Sequence, residues 1–105
     1  MFVLQPKPTF KMDVVIPTTQ GEGKIKFEFK HKGRKELKVF FESLGEGEGM
    51  REDKDALLDL IVGWEGVDEK FSPEALEVLL DNYHGAARAI FEAYNRGLFE
   101  GKQKN

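Results

Sequence analysis

An α+β fold is predicted: an N-terminal antiparallel β-hairpin packed on about four short C-terminal α-helices. Three observations predict it. Apolar residues recur with period two over residues 10–31. From residue 34 onward they recur at helical spacing. Glycines and prolines punctuate these stretches, at Pro17, Gly21, Gly23, Gly33, Gly45, Gly63, Gly66, Pro73 and Gly85 among others. Strands segregated from helices indicate α+β rather than an alternating α/β arrangement.

The first strand is carried by Phe10, Met12, Val14 and Ile16, which alternate with Lys11, Asp13 and Val15. Residues 2–8 hold two prolines and one charge and form an extended lead-in. Pro17 cannot donate a ladder hydrogen bond and is expected to end the strand. Residues 18–23 then form the loop, where Gly21 and Gly23 can take positive φ. In the second strand Ile25, Phe27, Phe29 and His31 share one face, with Lys24, Lys26, Glu28, Lys30 and Lys32 on the other. A lone hairpin is marginal in water, so its apolar face must be covered, and the helices are expected to cover it.

Gly33 breaks the strand. Leu37, Phe40, Phe41 and Leu44 then mark a helix that ends at Gly45-Glu46-Gly47-Glu48-Gly49. A second helix is expected over residues 51–63, with Leu57, Leu60, Ile61 and Trp64 as its stripe. Asp53 and Asp55 suit the positive end of its dipole. Ser72-Pro73-Glu74 is a helix start: a cap, a first-turn proline and an acid. Leu76, Leu79, Leu80 and Tyr83 form that helix's buried stripe. A last helix is expected over residues 86–98, with Ala87, Ile90, Phe91, Tyr94 and Leu98 on one side and Gly97 and Gly101 fraying its end. The 105 residues thus form a single domain: hairpin region 1–32, helical region 33–98 and polar tail 99–105.

Composition excludes several function classes. With no cysteine there is neither a disulfide nor a thiolate metal site. No apolar run approaches the ~20 residues that cross a bilayer, and residues 1–6 lack a secretory pattern, so a soluble intracellular protein is expected. His31 and His84 have no nearby residues at metal-ligand spacing and are read as a rim residue and a helix-end residue. Ser43 and Ser72 sit in no nucleophile elbow, and Ser72 is explained as a cap. The Gly/Glu run 45–49 follows a helix, and its glutamates would repel a phosphate, so it is a linker. The carboxylates Glu46, Glu48, Glu52, Asp53 and Asp55 lack the ligand series of a calcium loop. No catalytic, metal or cofactor residue emerges, and an enzyme is not expected.

Charge is unevenly distributed. Residues 1–40 carry nine Lys/Arg and four Asp/Glu, whereas residues 41–105 carry seven and fifteen, within a net charge of −3. Such halves can attract one another, steer a partner or stack. The basic patch of Lys24, Lys26, Lys30, Lys32, Arg34, Lys35 and Lys38 would suit nucleic acid only with stacking aromatics beside it. Phe27 and Phe29 point to the opposite face, and lysines on an exposed strand also guard against edge pairing. Trp64 is expected as a core anchor between helices, with a partner hot spot as the functional alternative.

One set of segments says more. Leu60-Ile61-Val62-Gly63-Trp64-Glu65-Gly66-Val67, Phe71-Ser72-Pro73-Glu74-Ala75-Leu76, Leu79-Leu80-Asp81-Asn82-Tyr83 and Ala86-Ala87-Arg88-Ala89-Ile90-Phe91-Glu92-Ala93-Tyr94 resemble the C-terminal half of the bacteriophage tail assembly chaperones. Pro8-Thr9-Phe10, Val14-Val15-Ile16-Pro17 and Phe27-Glu28-Phe29-Lys30-His31-Lys32 also look like that family. The resemblance implies a non-structural assembly factor in the cytoplasm of the infected or lysogenic bacterial host. It would bind the tape measure protein and help recruit the tail tube protein, with a homo-oligomer left open. In many such phages a frameshift adds a C-terminal domain. More aromatic positions are present than one helical stripe can hide, so Trp64, Phe71, Phe91, Tyr94, Leu98 and Phe99 are the candidate partner-binding residues. The alternatives are a head or tail component that stays in the virion and a basic-hairpin nucleic-acid binder.

Overall fold

The computed structural model describes residues 1–44 and 52–101. Strand β1 (Thr9–Thr18) and strand β2 (Gly21–Lys30) form the expected hairpin, in register from Thr9 opposite Lys30 to Thr18 opposite Gly21. The loop is tighter than the sequence suggests. Only Thr19 and Gln20 separate the strands, and Gly21 takes φ +123° to close the turn. Pro17 does not end β1. It sits on an edge strand, where a missing N–H is tolerated. His31 lies exposed just past β2, and its N–H donates to the Pro8 carbonyl at 2.9 Å.

Helix α1 (Arg34–Ser43) buries Leu37 and Phe40 and leaves Phe41 exposed. Residues 45–51, including the Gly/Glu linker and the expected start of the second helix, lie outside the described residues, as do 102–105 of the polar tail. Helix α2 (Asp53–Leu60) buries Ala56, Leu57 and Leu60.

The helix expected over 51–63 is corrected here. It stops at Leu60, and Ile61–Glu65 forms strand β3, antiparallel to β2. The sheet order is β1-β2-β3. Two β-branched residues followed by Gly63 and Trp64 fit a strand at least as well as a helix end. The outer edge of β2 also needs hydrogen-bond partners beside its buried phenylalanines. A bulge between Glu28 and Phe29 sets Ile61 opposite Phe29 and Trp64 opposite Phe27, so both face the core. Val62, the extra residue, is exposed.

Helix α3 (Pro73–Asn82) starts as the sequence requires, with Ser72 Oγ accepting from the Ala75 N–H at 3.0 Å. Its stripe is only partly buried: Leu76 is enclosed, Leu79 and Leu80 are half-buried, and Tyr83 is exposed. Helix α4 (Ala86–Asn95) buries Ala86, Ile90, Ala93 and Tyr94 and packs on β1. The expected helix to residue 98 is corrected to end at Asn95, followed by a π-helical turn, Arg96–Glu100. Gly97 does not fray this end. A Cβ there would lie 2.8 Å from both Met12 Sδ and the Phe10 ring, so the missing side chain lets the turn close onto β1.

The core lies between one face of the sheet and the helices. Val14, Phe27, Phe29, Leu57, Leu60, Leu76, Ile90 and Tyr94 are its most enclosed large side chains. The open face of the sheet is charged and mixed. Lys11 pairs with Glu65 at 3.4 Å, and Thr9 Oγ1 donates to Glu28 at 2.7 Å. Asp13 lies opposite Lys26 in the ladder. The basic strand residues are therefore interleaved with acids.

Candidate functional site

The six sequence-selected residues fall into three environments. Trp64 and Phe71 come together beside edge strand β3, with ring centroids 5.1 Å apart and planes at 82°. Trp64 also meets Phe27 edge-on at 5.9 Å, and its Nε1–H donates to the Glu69 carbonyl at 2.8 Å. The indole thus pins the 66–72 connection to the sheet while staying half-exposed. It anchors a strand and a loop, not two helices as the sequence suggested.

Tyr94 is a core residue, 1% exposed. Its ring meets Phe29 edge-on at 5.2 Å and Phe10 at 5.6 Å. Its hydroxyl donates to the Lys30 carbonyl at 3.0 Å, tying α4 to the end of β2. Burial pushes the phenol up to about 12, and the negative charges of Asp59 and Glu36 add to the shift. Between pH 10 and 12 the unfolded chain has lost a proton that the folded chain keeps. Stability contributed by Tyr94 is thus complete below pH 10 and falls as pH rises through that window. Denaturant titrations at about pH 9 and about pH 11.5 should show a loss on the order of 1–2 kcal/mol. In Tyr94→Phe this decline should flatten, from a baseline lowered by about 1 kcal/mol for the lost hydrogen bond.

Phe91, Leu98 and Phe99 belong to α4 and the turn that follows. Phe91 and Leu98 are half-buried, and Phe99 is 64% exposed. This turn packs on β1, at the sheet edge opposite β3. The aromatic excess is thus divided between two sides of the molecule. Arg96, in the same turn, holds its Nε buried without a hydrogen-bond partner among the described residues.

Sequence reasoning missed two apolar features. Phe2, Val3 and Leu4 stand in water at 87%, 69% and 88% exposure. Two adjoining clefts beside α3, about 290 and 240 Å³, share Val67, Asp68, Leu79 and Tyr83. The exposed Leu4 was legible only as part of a proline-rich lead-in. The clefts were not legible, because helical spacing placed Leu79 and Tyr83 in the buried stripe.

Among the described residues no group of three or more His, Asp or Glu could hold a metal ion. No described helix is long and apolar enough to cross a membrane. The cavity on the open sheet face is small, about 110 Å³, and is lined by paired charges including Lys11 and Glu65.

No curated protein and no solved structure matches the chain significantly. A family model described as phage tail assembly chaperone matches residues 1–105, the whole length of the sequence. That match spans the hairpin, the Trp64–Phe71 segment and α4 alike, and with it the chain belongs to the phage tail assembly chaperone family.

Proposed function

We propose that this protein binds the tape measure protein and helps recruit the tail tube protein during tail morphogenesis, acting without catalysis in the cytoplasm of the bacterial host. Membership of the chaperone family across the full sequence is the observation that carries this reading. A chaperone for a long apolar partner needs accessible hydrophobic surface on a stable frame. The frame here is the sheet–helix core. The surface is the apolar set of Trp64 and Phe71 on one side and Phe91, Leu98 and Phe99 on the other, with Tyr94 holding α4 in place behind the last three. Phe99 is the most exposed of these and is the first contact residue we assign.

Co-expression with the tape measure protein from the same genome tests the reading. The wild type should raise the soluble fraction of the tape measure protein. Phe99→Asp should lower that gain several-fold while leaving the chaperone's own stability within about 0.5 kcal/mol, as for other surface substitutions. A tape measure protein whose solubility ignores the wild-type chain removes the proposal. Mass spectrometry of purified particles separates it from a virion component, since an assembly factor should be missing from them.

A further inference from the structure

We propose that the cleft between α3 and the 66–69 connection is a socket for one apolar side chain of a partner segment flanked by lysine or arginine. The inference goes beyond the proposed function, because it fixes the charge of a partner. Three observations carry it. The first is the lining. Trp64, Val67, Leu79 and Tyr83 line a space of about 240 Å³, and none of the four is sealed in the core. Val78 joins them from α3 and stands 56% exposed. An apolar cavity of ~150 Å³ holds one benzene-sized group, so this space suits a single leucine- or phenylalanine-sized side chain. Its base is fixed, because Trp64 Nε1–H donates to the Glu69 carbonyl at 2.8 Å and the indole meets Phe71 edge-on. The socket is held by contacts within the chain and needs no partner to form it.

The second observation is charge. The charged side chains lining the space are Asp68 and Glu69, with no lysine or arginine beside them. Along α3, Val78 lies four residues after Glu74 and three before Asp81, so acids bracket the exposed valine on its own helical face. Residues 65–81 hold six acids and one base, Lys70. Lys11 and Lys54 reach in from other elements, where they pair with Glu65 and Glu77. Lys24 lines only the adjoining cavity. An apolar group entering the socket therefore meets negative charge on both walls, Asp68 and Glu69 on the connection and Glu74 and Asp81 on α3. A basic flank is attracted there and an acidic flank is repelled.

The third is what the chain itself offers to such a socket. Lys24, Lys26 and Lys30 on β2 are interleaved with Glu28 and face Asp13 across the ladder. None of the exposed large hydrophobic side chains belongs to β1 or β2. A second copy presenting its hairpin would bring charge without an anchor. The lead-in does combine the two, with Phe2, Val3 and Leu4 followed by Lys7. In the structure those three apolar residues stand 69% or more exposed and do not line the cleft. The lead-in is thus the competitor that an experiment must separate from a partner.

Trp64 is the single tryptophan of the chain and lines the cleft, so its fluorescence reports occupancy. The probe is the peptide Lys-Lys-Leu-Ala-Ala-Leu-Lys-Lys, titrated into the full chain. Trp64 emission should shift to the blue and saturate, and raising salt from about 50 to about 500 mM should weaken binding several-fold. A peptide with glutamate for every lysine, and one with serine for every leucine, should leave the emission unchanged. Asp68→Lys with Glu69→Lys should raise the dissociation constant of the lysine peptide about tenfold or more, and Val78→Gln about fivefold. Both variants should keep the wild-type circular dichroism spectrum. Emission that ignores the lysine peptide, responds equally to the glutamate peptide, or responds unchanged in both variants overturns the proposal. So does an emission change in Phe2→Ser with Leu4→Ser before any peptide is added, since the lead-in would then fill the cleft of its own chain. Emission that varies with protein concentration alone overturns it as well, since a second copy would then be the occupant. None of these measurements uses the tape measure protein, so the socket and the proposed function stand or fall separately.

Discussion

Phe29→Ala is expected to destabilise the protein by about 3–5 kcal/mol, the cost of emptying a fully enclosed aromatic site. Phe29 is fully buried on the central strand β2, with Phe10 opposite it on β1 and Ile61 opposite it on β3. Its ring lies 5.6 Å from Phe10, 5.7 Å from Phe27 and 5.2 Å from Tyr94. No neighbour can collapse into the space without leaving its own contacts. Tyr94 would also lose the ring that orients it beneath the Lys30 carbonyl. A domain of this size has about 5–15 kcal/mol of stability in total, so the loss takes a large share. The check is a urea titration, with an expected midpoint shift of roughly 2 M or more. Phe41→Ala, at a residue 44% exposed on α1, is the control and should cost far less.

Gly97→Val should cost about 2–3 kcal/mol, and the sign is informative. In an open helix, replacing glycine normally helps, by up to about 1 kcal/mol. Here the new Cβ would sit 2.8 Å from the Phe10 ring and 2.9 Å from Met12 Cγ, both on β1. The π-helical turn would have to lift off the sheet or push two core-facing side chains aside, which is an overpacking cost. Gly63→Val is the contrasting case, because a Cβ at Gly63 meets nothing within 4 Å and the residue lies in an edge strand. It should leave the urea midpoint unchanged or raise it. If Gly97→Val is equally silent, the turn does not pack on β1 as described. Where Gly97→Val lifts the turn off β1, it should also displace Phe99, which lies in the same turn.

Some features were legible because their cause is local. Alternation from Phe10 to Ile16 and from Ile25 to Phe29 requires a half-buried hairpin, since any register slip would put every phenylalanine in water. Ser72-Pro73 starts α3 because a cap and a proline act within one turn. Lysines and acids on the open sheet face were legible for the same reason of period two. The family resemblance in the 60–94 segments likewise needed no coordinates, and the family match covers the whole sequence.

Other features depend on what lies across the fold. Ile61-Val62-Gly63-Trp64 fits a helix end or a strand equally well in isolation. The free edge of β2 decides for the strand, because buried backbone groups beside Phe27 and Phe29 must be paired. Gly97 reads locally as a weak helix end, and only the approach of Met12 and Phe10 shows that the absent side chain is a packing requirement. Tyr94 and Phe99 are both aromatic residues near the chain's end. One is sealed against Phe29 and the Lys30 carbonyl, and the other stands in water. The sequence by itself determined the hairpin, the starts of α1, α3 and α4 and the membership of an assembly family. Which aromatics are sealed in the core and which stay exposed was decided only by the tertiary structure, because burial depends on neighbours brought from distant parts of the chain, and periodicity records only the turn-by-turn face.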